Sequence, residues 1–321
     1  MRLRSVVFWV VVLGVLLPGL LLTFTRLVEP HGGRWIRLES FTPYGIPLYL
    51  LALLLLAVAA FRGRRPWTIA LAGVAVAGLA LHCWWWSPMV TGANPPAPEG
   101  AERLHVMTAN VYLGQADGPA LVGDIADAEI DLLVVPEITE DLLADMERAG
   151  LDEVLPYRAG DAEGTGSATM MFATQPLDDP TRLDTRWGGW QVTMGDLTVL
   201  GVHLSSPVDP GWWRRDHAEI LAEARAADAD LIVGDLNATI DHEPMRRLAD
   251  AGFRSVTELA NEGWQPTWPA YGVIDVAGLE LPRVVQIDHV LVGPRLAAIG
   301  SHTLAIPGTD HRALVAEVAL R

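Results

Sequence analysis

Hydrophobic residues are laid out along this chain in two different ways. Over roughly the first ninety positions they form long runs, 5–23, 46–61 and 67–86, that contain no Asp, Glu, Lys or Arg. Runs close to the thickness of bilayer hydrocarbon predict membrane-spanning helices, the second being the shortest. Beyond residue 103 the apolar runs are short and broken by polar turns. Their pattern predicts strands over 104–112, 131–136, 168–174, 190–194, 197–204, 231–234, 284–292 and 314–320, and helices over 119–128, 139–149, 213–226 and 244–251. Thr139 is placed to cap one of these helices, and Gly195-Asp196 to turn a hairpin. The alternation predicts an α/β domain of two packed sheets with helices outside them. Between the two regimes, 87–100 carries Asn94, Pro95, Pro96, Pro98 and Gly100 and reads as a stiff linker. The chain therefore divides into a membrane anchor over 1–90, a linker over 91–102 and a second domain over 103–321.

Composition sharpens this division. Half of the 321 residues are hydrophobic, too many for a purely soluble chain, and the excess sits at the front. Arg2 and Arg4 before the first run also fit a secretory signal, but the run leaves through Leu22, Thr23, Phe24, Thr25 and Arg26 without a small-residue cleavage site. Retention as an anchor is the better reading. Arg2, Arg4, Arg62, Arg64 and Arg65 fall on one side of the expected spans, and Arg26, Arg34 and Arg37 on the other. The positive-inside rule then puts the N-terminus in the cytoplasm and the second domain outside it. Trp84, Trp85 and Trp86 end the third run, where indole rings favour the membrane interface. The single cysteine, Cys83, lies in that run, so the second domain holds no disulfide and depends on its own core.

Charge bears on the substrate. Up to residue 90 there are eight arginines against Glu29 and Glu39, a net of +6; the remainder has 15 basic and 37 acidic residues, a net of −22. There is no lysine. A nucleic-acid backbone is held by basic residues that neutralise phosphates, and this domain offers few. A small or lipid-borne anion presented singly suits it better than a long polyanion.

Several apolar runs end in a group able to hold a metal or a phosphate: MTAN in Asn110, VVPE in Glu137, GVHLSSP around His203, LIVGDLNAT around Asp235 and Asn237, QIDHVLVG around Asp288, and GTDHRALV with Asp310 and His311. A carboxylate after a run such as that before Glu137 is costly to bury alone, and a cation is a natural partner, although a strand-end acid facing water is the simpler alternative. Asp235 and Asn237 lie two apart, so their side chains point the same way from an extended strand end. His289, next to Asp288, points to the opposite face and reads as structural, while His217 and His242 read as polar surface.

In order and wording these strings resemble the endonuclease/exonuclease/phosphatase superfamily over roughly 103–320. The resemblance implies a four-layered α/β/β/α sandwich and a metal-dependent hydrolase acting on phosphate esters. It implies Asn110, through its amide oxygen, Glu137 and Asp310 at the metal, and His203, Asp235, Asn237, Asp288 and His311 in catalysis. Asp235 would orient water, Asn237 donate to a phosphoryl oxygen, and His311, oriented and charged by Asp288, stabilise the transition state or transfer a proton. His203 would act on the phosphate or on the leaving oxygen. Oxygen donors favour Mg2+ or Mn2+. Many relatives carry glutamine at the position of Pro136, which removes any role of that side chain here. Arg214, Arg215 and Trp268 are candidate substrate contacts, the arginines being as readily a solvated helix start, and 271–281 a loop facing substrate or membrane. An outward-facing domain on three spans looks like actinobacterial membrane proteins of this superfamily linked to cell-envelope stress and teicoplanin-type resistance, which implies a polyprenyl phosphate carrier. An extracellular nuclease and a silent binding or sensor protein are the alternatives; no obligate protein partner is implied.

Overall fold

The computed structural model describes residues 2–321 apart from 64, 93–95, 163, 165–167, 271–274, 277–278 and 281–283. The chain divides into two compact units, Met1–Pro88 and Met89–Arg321.

The first unit contains α1 (Arg2–Val28), α2 (Gly33–Glu39), a single 3-10 turn (Thr42–Tyr44), α3 (Gly45–Arg62) and α4 (Pro66–Trp86). Three stretches, Ser5–Val28, Thr42–Phe61 and Pro66–Trp86, are long and apolar enough to cross a membrane. Their shared core is Val12, Leu16, Tyr49, Ala52, Leu56 and Ala75. Outside it Val10, Leu54, Ile69 and other large apolar side chains stay exposed, the opposite of a water-facing bundle and the arrangement a lipid solvent favours. Gly78 allows this packing, since a Cβ there would lie 2.2 Å from the Tyr49 ring. The Thr23 hydroxyl meets both Tyr49 Oη at 2.6 Å and His82 Nε2 at 3.0 Å, joining α1, α3 and α4 through a small polar contact.

The second unit opens with α5 (Pro88–Thr91), where Met89 is buried and its carbonyl accepts the Gly263 N–H at 3.2 Å. The expected linker thus starts against this unit. There follow β1 (Arg103–Thr108), α6 (Gly118–Asp127), β2 (Leu132–Ile138), α7 (Glu140–Arg148), α8 (Leu151–Val154), β3 (Tyr157–Ala159), β4 (Ala168–Ala173) and β5 (Asp178–Arg182). Next come β6 (Gly189–Met194), β7 (Leu197–His203), α9 (Pro210–Ala226), β8 (Leu231–Asp235), α10 (Glu243–Asp250), β9 (Arg254–Ser255) and α11 (Val256–Leu259). The set closes with β10 (Asp275–Val276), β11 (Leu279–Glu280), β12 (Asp288–Val292), β13 (Leu296–Ala305) and β14 (Arg312–Leu320). Of the 271–281 loop, only the β10–β11 ribbon falls within the described residues.

Among the described residues two six-stranded mixed sheets form, β13-β14-β1-β2-β4-β3 and β5-β6-β7-β8-β12-β9. Strand alternation decides what each face meets. Val106, Leu132, Val134, Leu314 and Ala316 of the first sheet pack with Val199, Leu231, Val233 and Val290 of the second. The intervening Met107, Leu133, Val135, Phe172 and Val315 pack under Leu121, Ile125, Leu142 and Met146 of α6 and α7. Both sheets are therefore buried, and the fold is the expected α/β/β/α sandwich. Pairs β1–β2 and β7–β8 are parallel, each crossed by a helix, α6 and α9, while the other pairs are antiparallel.

Three expectations are corrected. The strand expected over 104–112 stops at Thr108, because the chain bends into left-handed φ at Tyr112 (47°) and Leu113 (52°). The one expected from 284 starts at Asp288; upstream, Val285 pairs with Trp268 instead. His217 and His242 are buried rather than on the surface, 4.6 and 5.4 Å from the Trp213 ring centre.

Candidate active site

Strand register brings the first group together. On β7, β8 and β12, His203 lies beside Asp235 and Asp235 beside Asp288, one residue from each of three adjacent strand ends. On the other sheet, the end of β1 runs along β2, with Ala109 N–H donated to Val134 O and Val111 N–H to Pro136 O, which sets Asn110 beside Glu137. Glu137 occupies a bulge in β2 and has φ of 64°, a backbone conformation that costs a non-glycine residue energy and concentrates at functional positions. The turn before β14 is tied across by Thr309 Oγ1, which donates to Asn110 O at 2.7 Å and accepts the His311 N–H at 3.1 Å.

The contacts are specific. Asn110 Nδ2 donates to Glu137 Oε1 (3.0 Å) and Asp235 Oδ2 (3.1 Å), linking the two sheets. Its Oδ1 accepts the Tyr112 N–H at 3.0 Å, so the amide nitrogen, not the oxygen expected at a metal, faces the carboxylates. Glu137 Oε2 accepts the Leu113 N–H at 2.9 Å. Asp235 Oδ1 accepts the Asn237 N–H at 2.8 Å, and Asn237 Nδ2 donates to Leu204 O at 2.9 Å. His203 Nε2 lies 3.6 Å from Glu137 Oε1 and 3.9 Å from Asp235 Oδ2. His311 Nδ1 bonds Asp288 Oδ2 at 2.8 Å, while its Nε2 is 3.9 Å from Asp235 Oδ2 and 4.0 Å from Asp310 Oδ1.

The structure therefore gathers Asn110, Glu137, His203, Asp235, Asn237, Asp288, Asp310 and His311 into one contact network. The three candidate substrate contacts differ. Trp268 Nε1 donates to Asp310 Oδ2 at 3.1 Å, so this indole orients Asp310. Arg214 Nη1 donates to Pro210 O, and Arg215 pairs with Asp184 at 2.9 Å on the exposed rim. His289 Nε2 donates to Ala238 O (2.8 Å), in keeping with a structural part.

Some contributors left little sequence signal. Asp216 is fully buried and accepts the Ser205 N–H (2.9 Å) and the Arg186 N–H (3.1 Å), clamping the loops on either side of His203. Thr267 Oγ1 accepts the N–H groups of Ile287 and Asp288 at 3.1 and 3.2 Å. Trp187 stacks on His203, with centroids 6.3 Å apart and planes 20° from parallel. The available signals were Asp216 at helical spacing from Trp213 and Thr267 immediately before Trp268 and Pro269.

Burial and crowding set the charges. Burial, then the charge of Asp288 and more weakly that of Glu137, push the Asp235 carboxyl up to about 8. Burial by itself would lower the His311 pKa, but the charge and hydrogen bond of Asp288, with Asp235 and Asp310, raise it to about 10. His203 is held down at about 4 by burial and then by the His311 charge. His203 is thus neutral and His311 an imidazolium at neutral pH.

A divalent cation fits this cluster. Three carboxylates, Asp235, Asp288 and Asp310, face the His311 imidazolium, Glu137 joins them through the Asn110 amide it shares with Asp235, and Asp288 Oδ1 and Asp310 Oδ1 are buried without a hydrogen-bond partner. Asp235, Asp288 and His311 bring possible ligand atoms within 4.8 Å of one another. His311 is a poor ligand there, because Nδ1 is engaged by Asp288 and the protonated ring has no free lone pair. Carboxylate oxygens remain as the donors, a set that suits a hard cation.

A family model described as Endonuclease/Exonuclease/phosphatase family matches residues 107–311, which span every residue of this cluster. The chain belongs to that family. It is accordingly a metal-dependent hydrolase of phosphate ester bonds. Among solved structures, an endonuclease/exonuclease/phosphatase family protein from Bacteroides thetaiotaomicron is 13% identical with a TM-score of 0.54, covering 69% of this chain and 99% of its own. The endonuclease/exonuclease/phosphatase from Beutenbergia cavernae is 18% identical with a TM-score of 0.52, over 68% and 72% of the two chains. TDP2 from D. rerio, complexed with single-strand DNA product, is 15% identical with a TM-score of 0.53, over 68% and 99%. At these identities the likeness is one of fold. No curated protein matches the sequence.

Proposed function

We propose that this enzyme is a membrane-anchored, extracytoplasmic, Mg2+-dependent phosphoesterase that hydrolyses a small or lipid-linked phosphoester or diphosphate. The observation that carries the reading is the charge contrast: a net of −22 and no lysine around a phosphoesterase site, on a chain whose first 90 residues hold +6 and the long apolar runs. A polyanionic backbone is repelled by such a surface, whereas a single headgroup reaches the cluster without spreading over it. A lipid bilayer is then both the anchor's solvent and the source of substrate.

In this reading Glu137 and Asp310 hold the cation, with Asn110 joining them if its amide turns over. When bound, the cation supplies charge neutralisation at a phosphoryl oxygen. With the cation in place to return its carboxyl to the charged form, Asp235 would orient the attacking water and take up its proton. Asn237 donates to a phosphoryl oxygen, the imidazolium of His311, fixed by Asp288, faces the developing charge, and neutral His203 attends the leaving oxygen.

The full-length protein in detergent with Mg2+ is offered bis-p-nitrophenyl phosphate, plasmid DNA, phospholipids and polyprenyl diphosphate. Turnover of the small or lipid-linked esters is expected, and Asp235→Ala and His311→Ala each lower it by at least about 100-fold. Turnover of DNA alone would replace this reading with the extracellular nuclease that is its alternative; unchanged rates in both variants would remove the assigned site.

A further inference from the structure

Beside His203, the turn between β5 and β6 and the first two turns of α9 build an alternating stack of aromatic rings and guanidinium groups. Trp187 lies on His203. The Arg186 guanidinium carbon is 4.8 Å from the centre of Trp187 and 5.7 Å from that of Trp212, and the Arg215 guanidinium carbon is 4.7 Å from Trp212. The turn is held in place rather than hanging free: Thr185 Oγ1 donates to Gly188 O at 2.6 Å, and buried Asp216 holds the Arg186 N–H together with the Ser205 N–H two residues beyond His203. In a region with a net charge of −22, Arg186 stands two ring contacts from a candidate catalytic imidazole, and Arg215 lies two further along the same stack.

We propose that this stack is a subsite for a second phosphoryl group, so that the enzyme prefers a diphosphate to a monophosphate. The inference rests on the phosphoesterase reading above and specifies its substrate class. With the phosphorus under attack at His203 and the cation cluster, the adjoining phosphoryl group is turned toward Arg186, the nearer guanidinium of the stack, while Arg215 adds positive charge from the far side of Trp212. A guanidinium stacked on an indole is fixed in its plane and keeps its edge N–H donors free to grip phosphoryl oxygens in pairs. The present partners of the two guanidiniums are Asp209 at 3.1 Å and Asp184 at 2.9 Å, both in exposed ion pairs. Such pairs contribute little, so exchanging them for a doubly charged phosphoryl group is favourable.

The full-length protein in detergent micelles with Mg2+ is titrated by calorimetry with inorganic diphosphate and, separately, inorganic phosphate. Diphosphate is expected to bind at least about tenfold tighter, the loss expected when charge-assisted hydrogen bonds are removed. In the double variant Arg186→Gln, Arg215→Gln, and in Trp187→Ala, that preference collapses to about twofold or less. The arginines are exposed and their replacement leaves the core intact; a melting curve checks this. Equal affinities in the parent protein, or a preference that survives the arginine variant, overturn the proposal. Micelles carrying a long-chain alkyl diphosphate or alkyl monophosphate form a second arm: a matching preference assigns the subsite to a lipid headgroup, and a preference confined to the soluble anion assigns it to a free diphosphate. Hydrolysis of bis-p-nitrophenyl phosphate, which has no second phosphoryl group, reports separately on the phosphoesterase reading.

Discussion

Glu137 is held in left-handed backbone, its carboxylate shares the Asn110 amide with Asp235, and its charge helps push the Asp235 carboxyl up to about 8. Without a cation that crowding destabilises the fold; with one it becomes attraction. Glu137→Gln removes the charge but keeps one acceptor in place of two, so either the Asn110 amide or the Leu113 N–H loses its partner. In EDTA the relief of charge and the lost hydrogen bond offset each other to within about 1 kcal/mol, and adding Mg2+ should raise the parent's melting temperature far more than the variant's. Equal Mg2+ shifts would remove Glu137 from the metal site. His217 sets a second test, because burial holds its pKa down at about 4. Its ordinary value is 6.5, so between these pH values the unfolded chain binds the extra proton. The contribution is complete above pH 6.5 and is lost as pH falls toward 4, by up to about 1.4 kcal/mol per pH unit. Melting temperature should therefore drop between pH 7 and 5, and less steeply in His217→Gln. The same residue marks a limit of sequence reading. Site residues that end apolar runs, such as Glu137 and Asp235, announce themselves, whereas His217 reads as the polar side of a helix because nothing in a periodicity says that Trp213 folds over it.

At the scale of elements, the site depends on how closely β7 and β8 approach. Gly234 has φ of 146°, and a Cβ there would lie 1.9 Å from the Val202 carbonyl oxygen of β7. Gly234→Ala must push the two strands apart at the residue next to Asp235, which disturbs the His203–Asp235 register. Overpacking of this kind costs about 1–3 kcal/mol, so melting should fall by several degrees, with activity falling further than the fraction unfolded explains. Far-UV and activity melts that track each other, with parent-like rates at low temperature, would show that the strand spacing does not matter to the site. The strands around this pair were legible because alternation or burial made them apolar. β5 was not, since all five of its residues are exposed, four of them polar and one a proline, and only the edge of β6 makes it a strand. β13 was missed for another reason: a register shift between Ala298 and Gly300 breaks its alternation. Neither omission touched the site, because both strands lie at sheet edges.

For the whole molecule, the uneven charge makes orientation a physical question rather than a detail. Three crossings, the number the apolar runs predict, would put the two ends of the chain on opposite sides, and the arginine count favours one orientation. Arg2, Arg4, Arg62, Arg64 and Arg65 oppose Arg26, Arg34 and Arg37, a bias of five to three that favours a cytoplasmic N-terminus. The same orientation spares the −22 region the cytoplasmic leaflet, whose anionic surface would repel it, and it presents that region to the outer face instead. A C-terminal reporter that works only outside the cytoplasm should therefore be active. Because the bias is small, it is also breakable: replacing Arg62, Arg64 and Arg65 with Ser leaves two arginines against three, and reporter activity should drop as a fraction of molecules inserts the other way. Adding arginines after residue 91 should have the same effect, since charge there pulls the third span toward the cytoplasm. A reporter active only in the cytoplasm, and indifferent to these arginines, would place the phosphoesterase inside the cell and direct the substrate search to soluble cytoplasmic esters.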